Sequence, residues 1–477
     1  MSATTVARSG ALGLATVVVE RALALVGIVA LGRLLPAESF GLWAFVVAYL
    51  AAFQVLADPG LESVLLRRLA QPGADRARLL GAGLVLRATL AGLAGLLAVA
   101  LAPLAGGAIT AVDGRLVVAC AAAALLLQGQ PGFRALLRSD LRIATVFAVA
   151  AGSSMLVLAA TVLAAANGYG LPAIFLAVAT AQALGLVAAG FAAGRGELVR
   201  PRIDPALWAD LLREAWPIGA NVLVVTLGLR MGALLLMRTG GPAEVGYYSS
   251  AMRLTESLNL IADGAMLTVF PLLARRAFTA PLEMVTVART TARGLAIAVL
   301  VAILAIAPLA PDLLGRLFRP EFASAAPALI VASWSALLAA LGTLYGGVLV
   351  ASGRQRVLLG LNAVATACLV ALQGVLVPRF GMVGAASASL VVSAASHLAL
   401  AVLPGTRAVV APCLRAAAGP VGCALALLLA ARFLPGPPLL RAAGLVCGFP
   451  LLLLATGQIG RGEFAALGAA LGGRPTP

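Results

Sequence analysis

Runs of about twenty predominantly apolar residues recur from one end of the chain to the other, separated by short polar connections that carry arginine. A helix rising 1.5 Å per residue needs ~20 apolar residues to cross a hydrocarbon layer of ~30 Å. The pattern therefore predicts membrane helices. The runs place fourteen spans at 10–32, 40–57, 79–104, 115–132, 143–167, 171–193, 216–238, 246–271, 285–309, 325–351, 357–377, 382–403, 414–434 and 439–459. The first is longer than the apolar region of a cleavable signal and lacks a small-residue cleavage site, so it is expected to stay as a helix.

Composition agrees with a lipid environment. Of 477 residues, 62% are hydrophobic and 11% charged, with a mean hydropathy of +1.05, against roughly a quarter charged in soluble domains. The formal charge of +16 does not point to nucleic acid, because the arginines are spread over short loops and not gathered on one surface. With the N-terminus inside, twenty arginines fall in cytoplasmic segments and eight in outside loops, which favours two cytoplasmic termini. The five cysteines lie in or beside apolar runs without CxxC spacing and are expected to pack as small residues. No metal, cofactor or catalytic constellation is expected. No GxxxxGK[ST] loop occurs, so the chain itself is not expected to hydrolyse ATP.

The two longest connections, 58–78 and 194–215, are both basic and both cytoplasmic in this topology. Between the fourth and fifth spans, Arg134, Arg138 and Arg142 lie four apart on one helical face, and Phe133, Leu137 and Leu141 mark another. The segment is expected to be an interfacial helix whose arginines meet anionic lipid headgroups.

An internal repeat organises the chain. PAESFG (Pro36–Gly41), between the first two spans, returns as PAEVG (Pro242–Gly246) between the seventh and eighth. Sixteen residues past each closing glycine stands Ala-Asp, Ala57-Asp58 and Ala262-Asp263, followed by LLRR (Leu65–Arg68) and LLARR (Leu272–Arg276). A weaker echo pairs GYG (Gly168–Gly170) with RFG (Arg379–Gly381). Six spans separate the copies, so both halves enter the membrane in the same sense, a parallel repeat about an axis along the membrane normal. The expected fold class is all-α: a polytopic transmembrane helical protein of about fourteen helices, two parallel six-helix repeats plus two C-terminal helices. The corresponding boundaries are 1–193 for the N-terminal six-helix bundle, 194–215 for a cytoplasmic basic linker, 216–403 for the C-terminal bundle and 404–477 for two additional helices and a short tail.

Several strings carry a family resemblance: LGRLLPAESFGLWAF (Leu31–Phe45), ADPGLESVLLRR (Ala57–Arg68), RALLRSDLR (Arg134–Arg142), TGGPAEVGYYSSAMRL (Thr239–Leu254), FPLLAR (Phe270–Arg275), LAPDLLGRLFRPEF (Leu309–Phe322), ASGRQR (Ala351–Arg356) and PRFGMVGAASAS (Pro378–Ser389). In their order and spacing the chain resembles the polysaccharide-exporting, lipid-linked oligosaccharide (O-antigen-type) flippase branch of the multidrug/oligosaccharidyl-lipid/polysaccharide exporter superfamily. The resemblance implies a transporter and not an enzyme, in a bacterial inner membrane. Its implied cargo is a lipid-linked oligosaccharide, such as a lipopolysaccharide O-antigen precursor, and its implied neighbours are glycan-assembly membrane proteins. Two positions depart from the family: Gly232, where an acidic residue is frequent, and Arg319, where a glycine is.

Ionisable groups inside spans are costly in hydrocarbon and are default functional candidates. Glu20 and Arg21 lie about midway through the first span, Arg87 in the third, Arg230 in the seventh, and Arg253 and Glu256 in the eighth, three residues apart. Arg21, Arg87, Arg230 and Arg253 are the expected substrate-binding residues, because a lipid diphosphate needs Arg and its sugar needs a wet space. Glu20 and Glu256 are expected to hold those arginines in ion pairs or to take part in proton or sodium coupling. Asp58 and Asp263 are expected to anchor loops or cap helices, His397 to be a packed or hydrogen-bonded imidazole, and Pro271, Pro308 and Pro311 to terminate helices. The competing functions are a multidrug-type cation antiporter, which would want an acidic, aromatic-lined cavity, and a membrane glycan polymerase or ligase, which would want a large outside loop.

Overall fold

A computed structural model of the chain describes residues 3–71, 73–105, 112–127, 130–193, 201–433 and 436–458. The elements among them are helical: α1 (Ala3–Leu34), α2 (Ala37–Ala57), α3 (Leu61–Leu69), α4 (Arg76–Ala105), α5 (Val112–Leu127), α6 (Gln130–Ser139), α7 (Ile143–Ala166), α8 (Leu171–Ala193), α9 (Pro205–Thr239), α10 (Gly241–Ser257), α11 (Asn259–Thr279), α12 (Pro281–Leu317), α13 (Ala326–Ala351), α14 (Gln355–Val402), α15 (Arg407–Ala431) and α16 (Pro438–Ala455), with a 3-10 turn at Pro320–Ala325. Among the described residues, twelve helical segments are long and apolar enough to cross a membrane, and the apolar α5 is shorter. The protein is a polytopic helical membrane protein.

Among the described residues the predicted spans fall mainly on helices, and two pairings of spans and helices are informative. α14 holds two spans in one element of 48 residues, broken at Gly381, whose φ of 54° and ψ of −136° leave the helical region. That backbone suits a residue without Cβ. The eighth span is shared by α10 and α11, with Leu258 between them in helical conformation (φ −66°, ψ −24°). Arg195, Arg200, Arg461 and Arg474, four of the arginines assigned to the cytoplasm, lie outside the described residues.

The expectation for the prolines needs correction. Pro271 lies inside α11, and Pro308 and Pro311 lie inside α12. Each removes one backbone donor, but within a membrane helix neighbouring groups and local adjustment re-satisfy the freed carbonyl, so the helix continues through it.

The chain divides into two compact units. The first is Met1–Arg253 with Leu317–Phe322 and Leu359–Ala388; the second is Leu254–Arg316 with Ala323–Leu358 and Ser389–Pro477. In the first unit α1 runs along α7, α7 along α8, and α5 contacts both α8 and α4, while α2 lies against α4 and α9. The short amphipathic helices α3 and α6 meet each other. They complete a core at one end of the unit, built from Leu61, Leu65, Leu80, Leu136 and Leu211. α3 starts where Asp58 Oδ1 accepts the amides of Gly60 (3.2 Å) and Leu61 (2.8 Å), the loop-anchoring role expected of that aspartate.

Salt bridges tie the two basic connections together. Arg67 and Arg68 both bond Glu214, with Arg68 Nη2 at 2.8 Å, and Arg78 Nε donates to Asp204 Oδ2 at 2.7 Å. Residues 205–215, part of the expected linker, are the first turns of α9, and Trp208 Nε1 donates to the Ala82 carbonyl at 3.0 Å. Asp204 caps α9 by accepting the Leu207 amide. The Arg78 hydrogen bond, with that amide, holds the Asp204 carboxyl below the usual carboxylate range.

In the second unit α11 lies against α13 and α15 against α16. α12 buries Ala288, Ala292, Leu295, Ala296, Val299, Leu300 and Ile303, a stripe at three- and four-residue spacing that marks one helical face. His397 is buried beside Tyr345, ring centroids 5.4 Å apart, and its Nδ1 lies 2.7 Å from the Ser393 carbonyl. It is the packed, hydrogen-bonded imidazole expected from its surroundings.

Candidate functional site

Polar side chains converge on one cavity in the first unit. It encloses about 470 Å³ between α1, α2, α6, α7, α8 and α10, with Glu20, Trp43, Arg134, Ser153, Ser154, Thr161, Gln182 and Arg253 among its lining residues. The remaining wall is aliphatic, including Leu23, Ile28, Leu31 and Leu158. α1 contributes by geometry: Glu20, Ala24, Gly27, Ile28 and Leu31 are three or four apart and share one face. The size is that of a small-molecule site, ~300–1,000 Å³.

Arg134 Nη2 donates to Glu20 Oε1 at 2.7 Å, with side chains 19% and 30% exposed. The lining thus holds two arginines and one carboxylate. Gln182 Oε1 and Arg134 Nε are buried without a hydrogen-bond partner among the described residues. Buried polar groups seldom stay unpaired, so these atoms mark a wall with bonding capacity left over.

A run of charges leads away from the cavity. Arg138 Nη1 donates to Glu62 Oε1 at 2.9 Å, and Arg87 Nη2 lies 3.5 Å from Asp58 Oδ2. Glu62 also feels the charges of Arg134 and Arg87, which makes Glu20, Arg134, Glu62, Arg138, Arg87 and Asp58 one electrostatic group. The interfacial reading of α6 is altered accordingly. Its arginines at 134 and 138 face protein carboxylates, Leu136 and Leu137 are buried, and Arg142 and Leu141 are exposed. The reason is tertiary: α6 packs against α3 and beside α1, so its arginines meet the carboxylates of Glu62 and Glu20.

The six candidates from the sequence separate. Glu20 and Arg253 line the cavity, whereas Arg87 sits with Asp58 in the adjoining group. Arg21 is exposed and Arg230 half-buried, and neither lines this cavity. Glu256 belongs to the second unit. Arg21, Arg230, Arg253 and Glu256 each keep an interaction within the protein. Sequence reading missed Arg134 as a cavity residue. Its partner is 114 positions away, and the available hint was that intramembrane Glu20 requires a cation.

The departures from the family pattern have structural accounts. A side chain at Gly232 would meet the Tyr248 hydroxyl at 2.9 Å and Gln373 Nε2 at 3.3 Å, so the room for an acidic residue is already filled. Arg319 bonds Glu321 at 2.9 Å, beside Phe318 and Phe322. Those two rings stack on each other and meet Phe40 of the first repeat motif at 6.1 and 5.6 Å, while Tyr247 of the second meets Phe322 at 5.2 Å. Three of the strings that carry the resemblance therefore converge on one aromatic cluster.

The family described as polysaccharide biosynthesis protein matches residues 6–276, more than half of the chain. The chain belongs to that family. No curated protein matches this chain. Among solved structures, its fold is similar to the lipid II flippase MurJ in an inward closed conformation, with a TM-score of 0.71 and 10% identity over 92% of this chain and 98% of that one. It is also similar to an inward-facing multidrug resistance MATE family transporter of the MOP superfamily, with a TM-score of 0.60 and 16% identity over 80% and 93% of the two chains. A MOP superfamily transporter from Pyrococcus furiosus, described as having a binding pocket of reversed polarity, gives a TM-score of 0.57 and 16% identity over 83% and 94%. At these identities the likeness establishes the shared fold.

Proposed function

We propose that this polysaccharide biosynthesis protein is a flippase that carries a lipid-linked oligosaccharide from the cytoplasmic to the outer leaflet of a bacterial inner membrane, by alternating access of its two six-helix halves. The observation that carries the reading is the cavity in which Arg134 and Arg253 outnumber Glu20 among Ser153, Ser154, Gln182 and Trp43. A diphosphate is an anion suited to guanidinium groups. Hydroxyls and an amide suit sugar hydroxyls, and an indole offers an apolar body against which a sugar ring can lie. The likeness to a lipid II flippase supports a lipid-linked cargo, and a polyprenyl diphosphate carrier fits the cavity's arginines. Membrane proteins of glycan assembly are the partners such a carrier would need on either side.

In this mechanism Glu20 holds Arg134 while the cavity is empty. An arriving diphosphate competes for the guanidinium and frees the carboxylate, which is then available to a proton or sodium ion. The multidrug-type antiporter is favoured by the shared fold with MATE transporters, and it differs in wanting an acidic cavity for a cationic cargo.

The deciding experiment reconstitutes the full chain in liposomes and follows a fluorescent polyprenyl-diphosphate oligosaccharide beside a cationic dye. Transport of the glycolipid, reduced at least tenfold by Arg134→Gln and Arg253→Gln in protein that stays monodisperse, is the expected result. Movement of the dye alone would replace the flippase by the antiporter.

A further inference from the structure

A second polar cavity, of about 610 Å³, lies in the second unit. Arg289, Thr290 and Arg293 of α12 line it with Arg415 of α15 and with Gly457 and Gln458, which follow α16. Arg289 and Arg293 are four apart and share a face. Among the described residues, no aspartate or glutamate lines this cavity. Arg293 keeps an interaction within the protein, and Arg289 and Arg415 present exposed side chains.

The end of α16 is closed by its own backbone. Its last carbonyls are taken internally: the Gln458 amide donates to Leu453 (2.8 Å), that of Gly457 to Leu454 (3.1 Å) and that of Thr456 to Leu452 (2.9 Å). This is a Schellman closure with Gly457 at a φ of 68°. Gln458 lies against Gly419, where any side chain would displace it. Three helices thus shape a cavity whose positive charge no carboxylate among its described lining residues answers. The cavity lies toward the starts of α12 and α15 and the end of α16, the ends that the arginine distribution along the sequence expects in the cytoplasm.

We propose that this cavity binds a phosphate or diphosphate group at the cytoplasmic membrane surface, held by Arg289 and Arg415 with Arg293 behind them. Guanidinium groups bind such oxygens by paired, charge-assisted hydrogen bonds. The group belongs either to an anionic phospholipid or to a soluble phosphorylated compound. The site is separate from the Glu20–Arg134 cavity, and its existence does not depend on what that cavity transports.

The test uses full-length protein in phosphatidylcholine nanodiscs. Sodium pyrophosphate is titrated calorimetrically, and retention of dioleoylphosphatidic acid is followed by native mass spectrometry. Arg289→Gln/Arg415→Gln is expected to weaken binding by about tenfold, and each single change by about threefold, consistent with surface arginines at an anionic interface. A control with equal charge loss on the same side, Arg275→Gln/Arg407→Gln, is expected to bind like the parent. Specific loss with phosphatidic acid alone assigns the site to a lipid headgroup; specific loss with pyrophosphate assigns it to a soluble phosphate. Equal loss in the control, or no binding of either probe by the parent protein, overturns the proposal. The single variants carry the test if the double variant does not fold.

Discussion

Gly41 and Gly246 hold the same place in the two copies of the Pro-Ala-Glu motif, and in the fold they meet. A Cβ on Gly246 would stand 2.8 Å from the Ala37 carbonyl and 3.3 Å from the Gly41 Cα, and one on Gly41 would run into the Pro242 carbonyl. Each copy therefore seats the other backbone to backbone. Backbone cannot rotate aside as a long side chain can, so Gly41→Ala is expected to destabilise the protein by about 1–3 kcal/mol, as overpacking does. Thermal unfolding in detergent checks it. Gly264→Ala in α11, where a Cβ meets nothing within 4 Å, is the internal contrast and should be neutral or stabilising by a few tenths to ~1 kcal/mol.

Glu244 connects the second repeat motif to the broken helix. Its Oε1 accepts the Met382 amide at 2.9 Å, the first donor after the Gly381 break. Glu244→Ala is expected to lower stability by ~1 kcal/mol, the usual cost of a lost cap. Gly381→Ala should cost at least as much, because it meets both the positive φ and the Glu244 carboxylate. Equal unfolding midpoints for parent and Glu244→Ala would refute the capping role.

Tyr248 occupies the room an acidic residue at position 232 would need. Gly232→Ala should destabilise, and Tyr248→Phe should relieve much of that loss by removing the hydroxyl at 2.9 Å. A double-mutant cycle is the measurement, with an expected coupling of ~0.5 kcal/mol or more. Strict additivity would mean that other neighbours decide the site.

Asp204 gives the stability of the α9 start a pH dependence. Its carboxyl is held below the ordinary value of ~3.9 by Arg78 and the Leu207 amide, so the folded state favours the ionised form. The contribution is complete at neutral pH and disappears as pH falls through the depressed folded value. Asp204→Asn should therefore unfold at a lower temperature than the parent at pH 7, and the gap should close below about pH 4. Added salt should narrow it at pH 7, since the Arg78 side chain is 46% exposed.

How much could be read without coordinates differs between fold and site. The spans were legible because hydrocarbon demands that each crossing satisfy its own backbone, so every helix announces itself locally in about twenty apolar residues. The amphipathic character of α6, the anchoring role of Asp58 and the packed state of His397 were legible from similarly local patterns. The interior prolines were not: whether a helix survives a proline depends on what lies beside the freed carbonyl, and that neighbour is remote in sequence.

For the site, the sequence by itself determined which ionisable residues fall within the apolar runs, Glu20, Arg87, Arg230 and Arg253 among them, because position along a run is read directly from the chain. Only the tertiary structure decided which of them share a wall. It brought Arg134 of α6 to Glu20 and placed Arg253 on the same cavity. It also seated Gly41 on the Pro242 backbone of α10 and gathered Arg289 and Arg415 from helices far apart in the chain. Hydrophobic length specifies that a helix crosses and roughly how deep each residue sits. It says little about rotation around the helix axis or the choice of neighbours, which steric fit and the pairing of charges in a low dielectric set once the helices are together.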